Sequence, residues 1–340
     1  MAKKKKNFSS FVNNPVDFTL LITILLLLAI GLTMVLSASS PSALSETGNS
    51  YSFFSKQLFF AVIGLACMLF ISKIDYRFYK KFYKHSWWIA LALLLLVLIA
   101  GKTINGAKRW LYLTESLSFQ PSEVVKLLMI IFYAGVLVKN RDELSKYGKG
   151  FIKHILFLVP IIGLLLIEPH FSASIVIIAI VSVMMIMAGC KFWHFIATGG
   201  TVGVMGVIAL IVKEPYRLQR VVTFLDPWKD ATGNGWQVIQ SLYAIGSGGL
   251  FGLGLGESKQ KYLYIPEPHN DFIFSILGEE LGFIGCAVVL ILFAIFIWRG
   301  ILIAMKAPDM FGSLIAIGIT TLVAIQVIIN VAVVTSSMPA

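Results

Sequence analysis

Apolar residues in this chain gather into long runs rather than into the alternation of a strand or the stripe of a surface helix. Nine runs, each bounded by charged or turn-forming residues, occupy 18–38, 54–72, 86–100, 121–138, 155–167, 172–189, 195–212, 272–298 and 311–335. A helix crosses the hydrocarbon core of a bilayer with about 20 apolar residues, within a range of roughly 17–25. Most of the runs reach that length, so the pattern predicts an all-α, polytopic transmembrane helical bundle with nine spans. The third and fifth runs are short, and are expected to be kinked, flanked by snorkelling side chains or sheltered by neighbours. Glu168-Pro169-His170 separates the fifth run from the sixth.

Composition points the same way. Hydrophobic residues make up 58% of the 340 and charged residues only 13%, about half the charged share of a soluble domain. A single membrane domain over 1–340 is therefore expected, not two soluble ones. The net charge of +11 would suit a nucleic-acid binder, but the basic residues lie in short connections between apolar runs, and no nucleic-acid partner is expected. Their distribution instead orients the chain. If the spans alternate, the basic tail at 1–17 shares one side with the Lys- and Arg-rich segments 73–85 and 139–154. The positive-inside rule then puts the N-terminus in the cytoplasm. The first run is too long for a signal-peptide core and reads as a retained helix. Cys67, Cys190 and Cys286 lie far apart in or beside apolar runs and read as inert buried thiols.

The longest connection, 213–271, is expected to be a large extracellular loop. Its aromatic residues, among them Phe224, Trp228 and Phe251, are not those of a disordered segment. Trp236, Ile239, Tyr243 and Gly246 recur at helical spacing, which predicts a helix lying along the outer membrane surface. The glycine-rich run that follows, Gly246 to Gly256, fits neither G-x-G-x-x-G nor a P-loop. No organic cofactor is expected.

Three polar groups need an explanation. The first is Asn105-Gly106-Ala107-Lys108-Arg109-Trp110 with Gln120-Pro121-Ser122-Glu123 and Lys126. Pro121 suits the first position of a helix, Glu123 complements its dipole, and Lys126 can meet Glu123 on one face. A capped helix explains all this, yet Lys126 falls one turn inside a span, where an ionisable group tends to mark a functional cavity. The second is Tyr216-Arg217, Arg220 and Asp226-Pro227-Trp228, either an interfacial anchor or an arginine clamp for an anionic head group. The third runs from Pro266-Glu267-Pro268-His269-Asn270-Asp271 to Glu279-Glu280. Asp271 alone would be a helix cap. The two adjacent carboxylates further along, expected near mid-membrane with no Lys or Arg in their span, need a cavity or another span to serve them. Together these residues describe an outward-facing site for a lipid-borne anionic substrate, and leave open whether an enzyme or a transporter owns it.

Those residues resemble the SEDS family (shape, elongation, division and sporulation; FtsW, RodA and SpoVE). The resemblance rests on N-G-A-K-R-W at 105–110, Q-P-S-E-x-x-K at 120–126 and Y-R-x-x-R at 216–220. It also rests on W-Q-x-x-Q-S-L-Y-A-I-G-S-G-G-L-F-G-x-G-L-G-x-S-x-Q-K at 236–261 and the run from P-E-P-H-N-D at 266 to 285, and it favours the FtsW/SpoVE branch. The resemblance implies a glycosyltransferase that polymerises lipid II into glycan strands alongside a class B penicillin-binding protein, other cell-division proteins and membrane lipids. It assigns catalysis to Asp271, and substrate binding to Arg109, Glu123, Lys126, Arg217 and Arg220, with Glu279 and Glu280 as further candidates. Mg2+ or Mn2+ is expected at the substrate's diphosphate. A lipid II flippase and a non-catalytic divisome scaffold are the competing readings. Two departures stand out. Pro169-His170 occupies a position where many members have P-D, and the family's tenth helix, with its P-F-x-S-Y-G-G-type motif, is expected beyond Ser336–Ala340.

Overall fold

The structure, a computed structural model, describes residues 16–104, 107–112, 118–198, 226–231, 233, 235–262, 264, 265 and 268–338. Among them are eight helices long and apolar enough to cross a membrane, and the chain is a multi-pass membrane protein. They match eight of the nine predicted runs. Most of the seventh, 195–212, lies outside the described residues, apart from a helical stretch at 192–198. The two short runs are full-length helices. The third is α3, Arg77–Ala100, because the basic and aromatic residues ahead of the apolar run continue the helix. The fifth is α5, Lys153–Ile167, prolonged at its start by a π-helical turn, Tyr147–Ile152.

By packing, the chain divides into two compact units, Met1–Asp75 with Tyr243–Arg299, and Tyr76–Leu242 with Gly300–Ala340. In the second unit, α4 (Pro121–Lys139) packs with α3, α6 (Phe171–Ala188) and α9 (Met310–Val334). The most enclosed element is α4. Met129, Ile130, Tyr133 and Leu137 on α4 are sealed against Leu94 on α3, Ile177 and Met184 on α6 and Leu314 on α9. With no water to compete, stray polar groups in the bundle find internal partners: Tyr133 Oη donates to His154 O at 2.7 Å and Trp87 Nε1 donates to Phe157 O at 2.9 Å. One small element departs from the all-helical expectation. An antiparallel three-stranded sheet, β1 (Lys102–Ile104), β2 (Ala107–Tyr112) and β3 (Ser118–Phe119), fills the connection from α3 to α4 and carries Arg109 on its central strand.

The first unit holds α1 (Phe18–Thr47), α2 (Ser52–Ile71), the end of α7 (Trp236–Gly248) from Tyr243 on, and the first part of α8 (Ile273–Lys306). No residue of α2 is buried within the protein, and Cys67 on it is exposed, a correction to its reading as a buried thiol. Such an apolar surface is the expected face toward lipid. Asp17 caps α1 by accepting from Leu20 N at 3.0 Å. The same carboxylate accepts from Arg299 Nε at 3.1 Å and forms an ion pair with that guanidinium.

Helix α8 is interrupted at Gly282, whose φ of 66° and ψ of −166° no helix tolerates. The break frees carbonyls before it and amides after it. The backbone of the glycine-rich run satisfies them: Leu253 N donates to Glu279 O at 2.9 Å and Gly254 N to Glu280 O at 3.0 Å, while Phe283 N donates to Gly249 O at 2.9 Å and Ile284 N to Leu250 O at 3.2 Å. Two backbones this close leave no room for side chains. A Cβ on Gly252, itself at φ +80°, would lie 2.1 Å from Glu280 O, and one on Gly282 would lie 2.3 Å from Gly252 N. Alanine at either position is expected to cost more than about 2 kcal/mol, combining a sparsely populated conformation with a backbone clash. Alanine at Gly246, which meets nothing within 4 Å in α7, is expected to be neutral or to stabilise by up to about 1 kcal/mol. Thermal unfolding of the purified variants measures both.

Candidate active site

In the first unit the site is built around the head of α8. Asp271 is exposed, two residues ahead of Ile273, and is flanked by buried Pro268 and Phe272. His269 lies against the Phe53 ring of α2, with centroids 4.6 Å apart. Beyond Asp271 the helix carries Glu279 and Glu280, both fully enclosed. The Glu279 carboxylate accepts from Ser258 Oγ and from the backbone amides of Lys259 at 2.9 Å and Gln260 at 3.3 Å. Glu280 accepts from Lys261 Nζ at 2.9 Å and from Ser37 Oγ of α1 at 2.6 Å. The same ammonium donates to Ser37 Oγ at 3.2 Å and to Gly256 O at 2.6 Å. These carboxylates, expected to need service from elsewhere in the bundle, receive it from the loop and from α1.

Their depth also differs from the sequence expectation. Along α1, Ser37 follows Asp17 by 20 residues, and along α8, Arg299 follows Glu280 by 19. At 1.5 Å per residue both intervals are about 30 Å, the thickness of a hydrocarbon core. The residues between each pair, 18–36 and 281–298, contain no charge. Two polar ties, Asp17–Arg299 and Ser37–Glu280, thus bracket an apolar slab. Glu279 and Glu280 stand at its edge rather than at its middle, and Asp271 lies beyond them.

In the second unit a separate cluster forms where β2, the start of α4 and the break between α5 and α6 converge. Pro121 opens α4 and Glu123 lies in its first turn. Lys126, buried one turn on, places Nζ 2.7 Å from Glu123 Oε2 while Glu123 itself remains half-exposed. Arg109 donates from Nη2 to Pro169 O. Gln120 Nε2 lies 3.5 Å from His170 Nε2, and since the amide can only donate, the ring proton of a neutral imidazole sits on Nδ1. Burial and then the nearby Arg109 charge hold His170 down at about 4, so it adds no positive charge at neutral pH. Glu168 is buried, and that burial, opposed by Arg109, pushes its carboxyl up to about 7. Glu168 Oε1 and His170 Nδ1 have no hydrogen-bond partner among the described residues.

Residues 18–340 match the FtsW/RodA/SpoVE family, described as a cell cycle protein. The chain belongs to that family. It is 43% identical to the stage V sporulation protein E of Bacillus subtilis, over 95% of this chain and 88% of that protein. It is 41% identical to the probable peptidoglycan glycosyltransferase FtsW of Trichlorobacter lovleyi, over 95% and 85% respectively. A solved structure described as the structural coordination of polymerization and crosslinking by a peptidoglycan synthase complex superposes with a TM-score of 0.78 at 26% identity. That match covers 95% of this chain and 88% of the other.

Of the residues singled out from sequence, the structure brings Glu123 and Lys126 together with Arg109 nearby, and joins Glu279 and Glu280 to one loop. Arg217 and Arg220 lie outside the described residues. Three participants went unremarked in the sequence. Lys261 and Ser258 were legible only as part of a family-like motif, and Glu168 only as a helix break. A carboxylate beside a proline between two membrane runs was the available signal.

Glu168 gives this cluster a pH dependence with a definite sign. Its carboxyl keeps a proton to about pH 7 in the fold, against 4.5 as its ordinary value. The stabilisation is therefore complete below the unfolded value and is lost as pH rises through the folded one. Relative to Glu168→Gln, which stays neutral, the parent protein is expected to lose thermal stability as pH rises from about 5 to about 7, with no further change above. Parallel profiles for the two proteins would show instead that Glu168 titrates ordinarily.

Proposed function

We propose that this chain is a peptidoglycan glycosyltransferase that polymerises lipid II into glycan strands, with Asp271 as its general base. The observation that carries the reading is an exposed carboxylate at the head of α8, beyond the polar edge of the apolar slab, in a chain about 40% identical to named peptidoglycan glycosyltransferases. A bilayer-anchored, diphosphate-linked sugar presents its reacting atoms at that level.

Asp271 accepts the proton of the acceptor sugar's 4-hydroxyl as that oxygen attacks the donor's anomeric carbon. The new C–O bond forms as the bond from that carbon to the diphosphate oxygen breaks, which inverts the centre. The departing diphosphate needs positive charge, and Arg109, Lys126, Arg217 and Arg220 are assigned to supply it. Glu123 holds Lys126 in place by its ion pair. Among the described residues no three His, Cys, Asp or Glu side chains assemble into a metal site. A Mg2+ or Mn2+ ion bound with the substrate would add positive charge at the diphosphate.

The N-terminus is assigned to the cytoplasm and Asp271 to the outer face of a bacterial cytoplasmic membrane. The basic tail adjoins Asp17, at the opposite edge of the slab from Glu280, and that supports the arrangement. A class B penicillin-binding transpeptidase is the proposed partner, in cell division or sporulation. The likeness to a synthase complex of coupled polymerization and crosslinking supports it.

A positioned general base contributes typically 10²–10⁴-fold to rate. Asp271→Ala in the intact protein with its transpeptidase is expected to lower glycan formation from purified lipid II by at least about 10²-fold, with folding and partner binding retained. Glycan made at the parental rate by this variant would remove Asp271 from catalysis. Polymer from neither protein, with lipid II moved across vesicles by both, would mark a transporter.

A further inference from the structure

The glycine-rich run and the segment that bears Asp271 are one stretch of chain, closed on itself by the two carboxylates of α8. Residues 258–261 stand at its near end and Glu279–Glu280 at its far end, with Asp271 between. The closure is dense. Glu279 holds one hydroxyl and two backbone amides of the loop, and Ser258 Oγ in turn accepts from Lys261 N at 3.3 Å. Glu280 holds Lys261, whose ammonium also grips Gly256 O and Ser37. Ser258, Lys261, Glu279 and Glu280 are each at most 3% exposed. A hydrated head group cannot reach carboxylates so enclosed.

Such an arrangement is a poor way to gain stability alone. Burying an ammonium and a carboxylate carries a large desolvation penalty, and an apolar pair of the same shape would often serve the fold as well. What a charge pair adds is direction: it fixes one loop register, because any other leaves a buried charge unpaired. Here the fixed register determines where the intervening segment emerges. Between the clasp and Asp271, Ile265 is buried with its amide on Gln260 O at 3.2 Å, and the His269 ring lies against Phe53.

We propose that Lys261 and Glu280, supported by Ser37, Ser258 and Glu279, are positioning residues that set the place of the Asp271 carboxylate, and that Glu279 and Glu280 do not contact substrate. The proposal rests on the reading of Asp271 as the catalytic base. It also ties that base to α1, since Ser37 is the one α1 side chain that joins both charges of the pair among the described residues. A base displaced by an ångström loses turnover more than it loses substrate affinity.

The test uses the intact protein with its transpeptidase in lipid vesicles, and compares Lys261→Met, Lys261→Arg, Glu280→Gln and the double variant Lys261→Met/Glu280→Gln. Lys261→Met and Glu280→Gln are expected to lower kcat for lipid II polymerisation by about tenfold or more with KM changed less than about threefold, and to raise amide hydrogen exchange across 262–272. Lys261→Arg, which keeps the charge, is expected to recover most of the turnover. The double variant leaves no lone buried charge and so separates positioning from misfolding. It is expected to remain folded, with turnover still low and 262–272 still exchanging fast. A double variant that polymerises at the parental rate would overturn the proposal, and so would single variants whose loss falls on KM, since that would return Glu280 to substrate contact. Failure of the underlying reading looks different: Asp271→Ala would then polymerise normally, while hydrogen exchange in the Lys261 variants would still report whether the clasp orders the segment.

Discussion

The structure turns on one broken helix. A helix entering a bilayer must keep its backbone hydrogen-bonded, because lipid offers no replacement partner. At Gly282 α8 gives that up, and four of its backbone groups are taken over by the glycine-rich run. This explains why Gly252 meets α8 without a side chain: the two backbones must approach within hydrogen-bonding distance. It also explains why residues 253–261 follow the helix instead of leaving into solvent. The two carboxylates just ahead of the break on α8 then find the loop beside them.

From that arrangement the vertical layout of the first unit follows. Polar ties join α1 to α8 at two levels, and the intervals on the two helices agree to one residue. Helices that must bury an apolar slab of fixed thickness have their polar ties set by that thickness. The carboxylates consequently mark one edge of the apolar slab, and the segment bearing Asp271 lies beyond it along the chain.

The second unit holds two cations, Arg109 and Lys126, in one cluster. Arg109 is placed by a short sheet and held by a backbone carbonyl, and Lys126 is paired with a carboxylate that is itself half-exposed. Neither is neutralised by a fully buried carboxylate ion. Glu168 sits close enough to Arg109 to sense it, but burial keeps a proton on it to about 7. His170 stays uncharged for the same reason. Burial thus removes one charge of each sign from the cluster, the negative one of Glu168 up to about pH 7 and the positive one of His170.

The sequence by itself determined the membrane class, eight of the spans that the structure describes, the helix at Trp236–Gly248 and the Glu123–Lys126 pair. Each depends on local spacing: an apolar run as long as a bilayer is thick, or residues three apart on one helix face. Tertiary structure alone decided the break at Gly282, the service of Glu279 and Glu280 by Lys261 and Ser37, their level at the edge of the slab, and the sheet that carries Arg109. Glu280 and Ser37 are 243 residues apart, and no periodicity links them. A lone glycine in an apolar run reads as helix until another backbone lies against it, and a buried carboxylate reads as a functional charge until its partners are known. What decides both is long-range hydrogen bonding under desolvation, a property of the folded neighbourhood and not of the spacing along the chain.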